Sequence, residues 1–418
     1  RLASLLSTAG YKTIVLTIDM SATSEEDDSI VIETNGIILI RLKKTFHQYY
    51  NYYKKYFKQG NINAPYWIAI GMAMQDWIAA NQLTYKIDII EASAYGGIGS
   101  FFKVKDFPPV ILSGHGAFFQ YKRINKNKPT EQTELIEKLE HFAFKNVDGI
   151  ISHSPQSKED IEQFTKVPVF LARIAFLPEY NALIKETHET ASSNKYALVV
   201  GSLQELKGPF TLFEAISHLN IPEENFKVIW VGSDNYYQPT GQRMSIVLEN
   251  KYPELWNKKI VWEQNTDDKK LAAFYQNAAF IIIPTLWESF NVISIEASFF
   301  KKPIIITSTT GSSFLFQNEE NAIIIEPGDR QSLANAILLL YNSTELCTKL
   351  GIAAYNSISK QLEPARIVDD RISIYTNIIK NKTNNVIVFD PSILKKYITP
   401  SRKIYFACRQ FIKNIIKK

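Results

Sequence analysis

Glu288 and Glu296 stand eight positions apart in "PTLWESFNVISIEAS" (284–298), an otherwise apolar stretch. One precedes a run that reads as a helix start and the other lies well inside it. A carboxylate within an apolar helix must be solvated or must accept hydrogen bonds. Sugar hydroxyls suit it, being neutral, paired and numerous. Spacing alone leaves the plainer alternative open, two solvated or capping glutamates. A second stretch, "VVGSLQELKGPFTLFEAI" (199–216), ends a strand in Gly201 and places Lys207-Gly208 just before a helix. Glycine lets backbone approach a ligand closely, and a lysine beside a helix N-terminus suits a diphosphate. A third, "VIWVGSD" (228–234), sets Gly232 at another strand end. Surface Lys-Gly pairs are common, so no one piece decides. Three strand-end loops converging on one crevice would form a nucleotide site.

The elements that must position these residues are legible as short apolar runs. "KTIVLTID" (12–19), "GIILIRL" (36–42), "KIDIIEA" (86–92), "PVILSGHG" (109–116), "VDGIISHS" (147–154), "YALVVGS" (196–202), "FKVIWVGS" (226–233), "KIVWEQ" (259–264), "AFIIIPT" (279–285), "KPIIITST" (302–309) and "NAIIIEP" (321–327) read as strands. Amphipathic helical patterns separate most of them, which implies parallel sheets covered on both faces. In such sheets ligands bind at the carboxyl ends of the strands. The polar stretch "ALIKETHETASSNK" (182–195) reads as a linker between two doubly wound domains, 1–181 and 196–362. A helix over 363–382 follows, expected to pack back toward the first domain, and then a basic, roughly amphipathic tail, 383–418.

At 418 residues the chain has the length of two or three domains, and its net charge of +5 is mild. That charge tolerates anionic ligands but does not mark a nucleic-acid binder. Cys347 and Cys408 make neither a metal cluster nor a disulfide framework, which fits a reducing compartment. No stretch reaches the ~18–20 apolar residues of a membrane span. The tail could instead touch an anionic membrane surface peripherally, and the aromatic, Lys-rich "FHQYYNYYKKYFKQG" (46–60) raises the same question. "EEDD" (25–28) reads as an exposed loop rather than a metal site. The opening "RLASLLSTAGYKTIVLTIDM" reads as a helix tail stopped by Gly10 and then a strand. An α/β chain that starts so is expected to lack a preceding strand and loop.

The order of these motifs resembles the GT-B glycosyltransferases of the large retaining family 4. "PTLWESFNVISIEA" matches that family's E-x7-E signature, and "KKPIIITSTTGSSFLF" and "NAIIIEPGDRQSLANAI" continue the pattern. In the first half "DIIEASAYGG", "VILSGHG" with His115, and "LEHFAFKNVDGIISHS" with Glu140, Asp148 and Ser154 resemble the acceptor-side domain. The resemblance implies an α/β fold of two Rossmann-like domains facing a central cleft. It implies a hexosyltransferase moving a sugar from a nucleoside-diphosphate sugar, with retention and without a metal, to a glycan or lipid-linked acceptor. Bacterial surface-polysaccharide synthesis, in the cytoplasm or at the inner membrane face, is the setting it suggests. Residue by residue, Lys207 would hold the diphosphate and Glu296 would accept from ribose hydroxyls. Glu288 would bind the donor sugar, helped by the amides of Phe290, Asn291 and Val292. Gly201, Ser202 and Gly232 would line the pocket, and His115 would face the anomeric carbon. The sequence departs from the family where Ser202 replaces a usual Arg and Asn291 a usual Gly. Asn tolerates unusual backbone angles, which makes the second change mild. The rival readings are a non-catalytic GT-B partner protein and a GT-B sugar-nucleotide epimerase. A nicotinamide oxidoreductase is disfavoured, because no Gly-x-Gly-x-x-Gly turn with its ribose acid is present.

Overall fold

A strand covered by helices on both faces has no solvent side to keep polar, so it can be apolar along its whole length. The computed structural model describes residues 1–20, 26–32, 35–55, 57, 63–122, 124–126, 130–176, 195–219, 221–222, 225–264 and 266–382. Most of the apolar runs fold as such strands. Ile14–Ile18 (β1), Ser29–Ile32 (β2) and Ile38–Leu42 (β3) make a three-stranded sheet in the order β1-β3-β2. There β3 runs parallel to β1 and antiparallel to β2. Ile90–Ser93 (β4), Val110–Gly114 (β5), Gly149–Ser152 (β6) and Val169–Leu171 (β7) form a parallel sheet in chain order. The first half is thus two sheets rather than one. Between β1 and β4 lies a cavity of about 660 Å³, lined in part by Leu2, Leu6, Leu16, Trp77 and Ile90.

The second half builds one continuous sheet. Its strands are Lys195–Val200 (β8), Phe226–Val231 (β9), the two-residue hairpin arms Tyr236–Tyr237 (β10) and Gln242–Arg243 (β11), Ile260–Glu263 (β12), Phe280–Ile283 (β13), Ile304–Thr307 (β14) and Ile323–Ile325 (β15). The hairpin stands apart; the other six run parallel in the order β12-β9-β8-β13-β14-β15. Counted from β8 this is the 3-2-1-4-5-6 order of a doubly wound sheet, and it reverses between β8 and β13. Trp230, Phe213 and Phe280 are wholly buried around it, each worth roughly 2–3 kcal/mol of apolar burial.

The helix Pro364–Lys380 returns to the first half. Ile374 and Ile378 pack with Ile111 of β5 and Ile151 of β6. Arg371, 2% exposed, donates to both carboxylate oxygens of Glu91 on β4, at 3.1 and 3.2 Å. A buried guanidinium is tolerable only with such a partner. Arg173 anchors the same helix through Asp370 at 2.5 Å.

Several expectations meet their outcome here. The aromatic run over 46–60 is helical over Lys44–Lys54, with Phe46 and Tyr53 buried in the core rather than displayed. In the acidic run, Asp28 accepts from the amide of Lys43 at 2.6 Å and Asp27 pairs with Lys44 at 2.9 Å. The short strands β2 and β7 and the β10–β11 hairpin escaped the sequence reading. The linker apart from Lys195, and the tail 383–418, lie outside the described residues. No helix among the described residues is long and apolar enough to cross a membrane.

Candidate functional site at the strand-order reversal

The carboxyl ends of β8, β9 and β13 meet at the reversal point, where neighbouring loops part and leave a crevice. The loop after β8 is fixed against the loop after β13. Leu286 N–H and Thr285 Oγ1 both donate to Leu206 O, at 2.8 and 2.9 Å. Gly208 has φ +70°, and a Cβ there would lie 1.9 Å from Pro284 O, so only glycine fits. Lys207, one residue earlier, is thereby aimed across the crevice. Its Nζ meets Glu288 Oε1 at 2.7 Å, with both side chains half-buried. The loop after β14 secures Glu288 in turn: Glu288 N–H donates to Thr309 O at 3.2 Å and Gly311 N–H donates to Glu288 O at 2.8 Å.

Asn291 does more than the sequence suggests. Its φ and ψ are −126° and 113°, ordinary extended backbone, so tolerance of unusual angles is not its reason for being there. Its Oδ1 caps the helix Val292–Phe299 by accepting from Ser294 N–H at 2.8 Å, and its Nδ2 donates to Glu288 Oε2 at 2.8 Å. One side chain both ends the helix and orients the carboxylate. The amides of Phe290, Asn291 and Val292 donate to no atom among the described residues. They stand at the positive end of that helix, where an anion is stabilised.

Glu296 lies deeper than a pocket-surface group. It is 6% exposed, and its Oε2 accepts from Tyr275 OH at 2.9 Å. Tyr275 is itself fully buried and stacked on Phe300 at 5.0 Å. Gly201 and Gly232 touch back to back: a Cβ on Gly232 would lie 2.1 Å from Gly201 O. Ser202 Oγ accepts from Gln204 Nε2 at 2.8 Å.

The opposite wall comes from the loops after β5 and β6. The His115 ring stacks on that of His153, centroids 4.8 Å apart, and Phe290 meets His153 edge-on at 6.3 Å. His115 Nε2 lies 3.1 Å from Ser113 Oγ. His153 is 1% exposed, and its Nδ1 lies 3.0 Å from Ala172 O. A carbonyl only accepts, so Nδ1 carries a proton. Burial, reinforced by nearby His115 and Arg371, pushes its pKa down to about 3. His115 opens onto the cleft, yet the protein around it also lowers its pKa, against a weaker upward pull from Glu91. Both rings are uncharged at neutral pH. His153 is not singled out in the sequence analysis; the signal passed over is a histidine just past a strand end, as His115 is one strand earlier in chain order.

The two walls touch. Ser154 Oγ donates to Ser289 O at 2.7 Å, Ser289 Oγ to His115 O at 3.1 Å, and Leu206 N–H to Asn125 Oδ1 at 3.1 Å. Glu140 stands behind the wall rather than in it. Fully buried, it accepts from the amides of Gly96 and Phe118 at 3.1 and 3.0 Å, tying the loops after β4 and β5 together. Burial outweighs these amides and pushes its carboxyl up to about 7. Asp148 is scaffold: it pairs with Lys103 and accepts from Val110 N–H at 2.8 Å.

Comparison with known proteins extends this picture. Residues 181–357 match the family described as glycosyl transferases group 1. The chain is 21% identical over 282 residues to the O-antigen chain mannosyltransferase C of Escherichia coli, covering 65% of this chain and 70% of that protein. Among solved structures it is similar to sucrose-phosphate synthase of Thermosynechococcus elongatus, with TM-score 0.67, 18% identity, and 91% and 92% of the two chains covered. It is also similar to Anabaena Alr3699/HepE in complex with UDP-glucose, with TM-score 0.55, 15% identity, and 74% and 82% covered. The fold is GT-B, two α/β units facing a cleft.

Proposed function

We propose that the protein is a retaining, metal-independent glycosyltransferase of family 4 that moves a sugar from a nucleoside-diphosphate sugar to a glycan or lipid-linked acceptor. The observation that carries this reading is the crevice itself. The Lys207 ammonium meets Glu288 across it, and the three helix-start amides that follow Glu288 donate to no atom among the described residues. That set suits a diphosphate with a sugar attached. Residues 196–362 form the donor side and 1–181 the acceptor side, with His115 facing the anomeric carbon. The Escherichia coli relative is an O-antigen chain mannosyltransferase, and surface polysaccharide is the acceptor class we favour, handled in the cytoplasm or at the inner membrane face.

The step balances without a metal. The bond from C1 of the sugar to the diphosphate breaks, and its electrons stay on the leaving phosphate oxygen. Lys207 and the helix-start amides stabilise that developing charge. The acceptor hydroxyl oxygen bonds C1 from the same face, and its proton passes to the departing phosphate. Glu288 orients the donor hydroxyls and Glu296 lies toward the ribose. Neutral His115 can accept a hydrogen bond from the sugar without repelling a cationic C1.

The test is turnover of a panel of UDP-, GDP- and ADP-sugars with an extract of bacterial surface glycan as acceptor, in excess EDTA. Release of one nucleoside diphosphate, with the α-configuration kept in the product, is expected. An inverted product, or turnover only with added divalent cation, would overturn the mechanism.

A further inference from the structure

At position 202, in the loop that carries Lys207, the chain has a serine. Two tryptophans reach the strand-end glycines. Trp230 Nε1, on β9, donates to Gly201 O at 2.8 Å. Trp262 Nε1, on β12, donates to Gly232 O at 3.0 Å. In a trans peptide the C=O and the next residue's N–H point in opposite directions. The neighbouring peptide shows the rule at work: Val231 O accepts from Gly201 on β8, while the Gly232 N–H of the same unit donates outward to Glu263 O beside β12. Gly201 O is held toward β9, so Ser202 N–H faces away from β9, toward β13 and the crevice. Gly232 O is held toward β12, so Ser233 N–H faces back toward β8. Neither amide donates to any atom among the described residues. The contact of Gly232 with Gly201, too close for any side chain, brings the two peptides together.

We propose that the amides of Ser202 and Ser233 form a paired anion site for the donor's diphosphate, turned into the crevice by the indoles of Trp230 and Trp262. Backbone N–H groups brought close together in this way, here from two strand ends, concentrate partial positive charge that suits an anion. The pair supplies by backbone what a second cation at position 202 would supply by side chain. Trp230 and Trp262 are positioning residues: they touch no ligand and act through the peptides they hold. This inference rests on the donor-site reading above and assigns the groups that reading leaves unnamed.

Trp230→Phe and Trp262→Phe keep an aromatic ring and remove the indole donor. Each protein is titrated calorimetrically with whichever of UDP, GDP or ADP binds the unaltered chain, and with the matching nucleoside. Diphosphate affinity is expected to fall roughly five- to tenfold per variant, the effect of one orienting hydrogen bond. Nucleoside affinity is expected to stay level. A role confined to packing would lower both together, and equal losses, or none, would overturn the proposal. Trp262 is only half-buried, so its variant carries the test if the Trp230 variant melts early. Should the unaltered protein bind no nucleotide, the donor-site reading fails, and inorganic pyrophosphate titrated into the same three proteins reads the amide pair by itself. Pyrophosphate binding weakened in both variants would keep the site; no binding would remove it.

Discussion

In the second half of the molecule β8 lies between β9 and β13, and the sheet is continuous across its order reversal. In the first half β1 and β4 occupy the corresponding flanks, each pairs with one strand among the described residues, and a cavity of about 660 Å³ opens between them. The difference decides what each half can bring to the cleft. Around β8 the functional groups hang on tightly crossed strand-end loops: Gly201 against Gly232, Gly208 against Pro284, Lys207 against Glu288. In the first half the cleft wall is held from behind by buried charge. Glu140 gathers the amides of two loops, and Arg371 of the returning helix clamps Glu91. One half positions its site by backbone crossing, the other by buried ionisable side chains.

That contrast can be broken by substitution. The largest effect is expected from Arg371→Met, which takes the guanidinium from Glu91 and leaves it the Tyr375 hydroxyl. Removing one member of a buried pair costs about 3–5 kcal/mol, readable by urea unfolding, while nucleotide binding by the donor half should survive in the folded fraction. Phe280→Ala in β13 should cost a similar ~3–5 kcal/mol as a core cavity. Leu16→Ala in the half-buried β1 should cost less than half as much, because its site is open to the cavity. Equal losses at these two positions would erase the distinction between the halves.

A smaller effect separates the two modes by pH. Glu140 has its folded pKa raised above the unfolded value, so the folded state binds the extra proton. Its stabilising contribution is full below about pH 4.5 and is lost as pH rises through about 7. His153 runs the other way. Its folded pKa is depressed, so stability is lost as pH falls from about 6.5 toward about 3. Glu140→Gln should therefore flatten the decline in thermal midpoint between about pH 5 and 8 and leave the acid limb intact. An unchanged slope would show that Glu140 does not titrate in that window. The smallest effect, about 1 kcal/mol, is expected for Ser289→Ala, which removes one bond between the walls.

Much of the donor half was legible because its signals are local. A strand, a glycine and a lysine within nine residues mark the loop after β8, and the run around Glu288 and Glu296 marks the next. What escaped depends on contacts between segments distant in sequence. Nothing local links Asn291 to Glu288 rather than to an unusual backbone angle. Nothing local marks the indoles of Trp230 and Trp262, whose donor atoms act on carbonyls 29 and 30 residues away. His153 gains its meaning only by stacking on His115, and the depth of Glu296 only by Tyr275 beneath it. The split of the first half into two sheets was likewise invisible, since each strand reads alike whether or not its neighbour is beside it.

The most direct measurement is calorimetric titration of the chain with UDP, GDP and ADP, alongside Lys207→Ala and Glu296→Ala. Micromolar binding of one nucleotide is expected. Loss of the charged contact at Lys207 should weaken it roughly 10- to 100-fold, and Glu296→Ala should abolish the preference for a ribose-bearing ligand. A folded, unaltered chain that binds none of the three, or binds equally well without Lys207, would contradict the donor site at the reversal between β8 and β13.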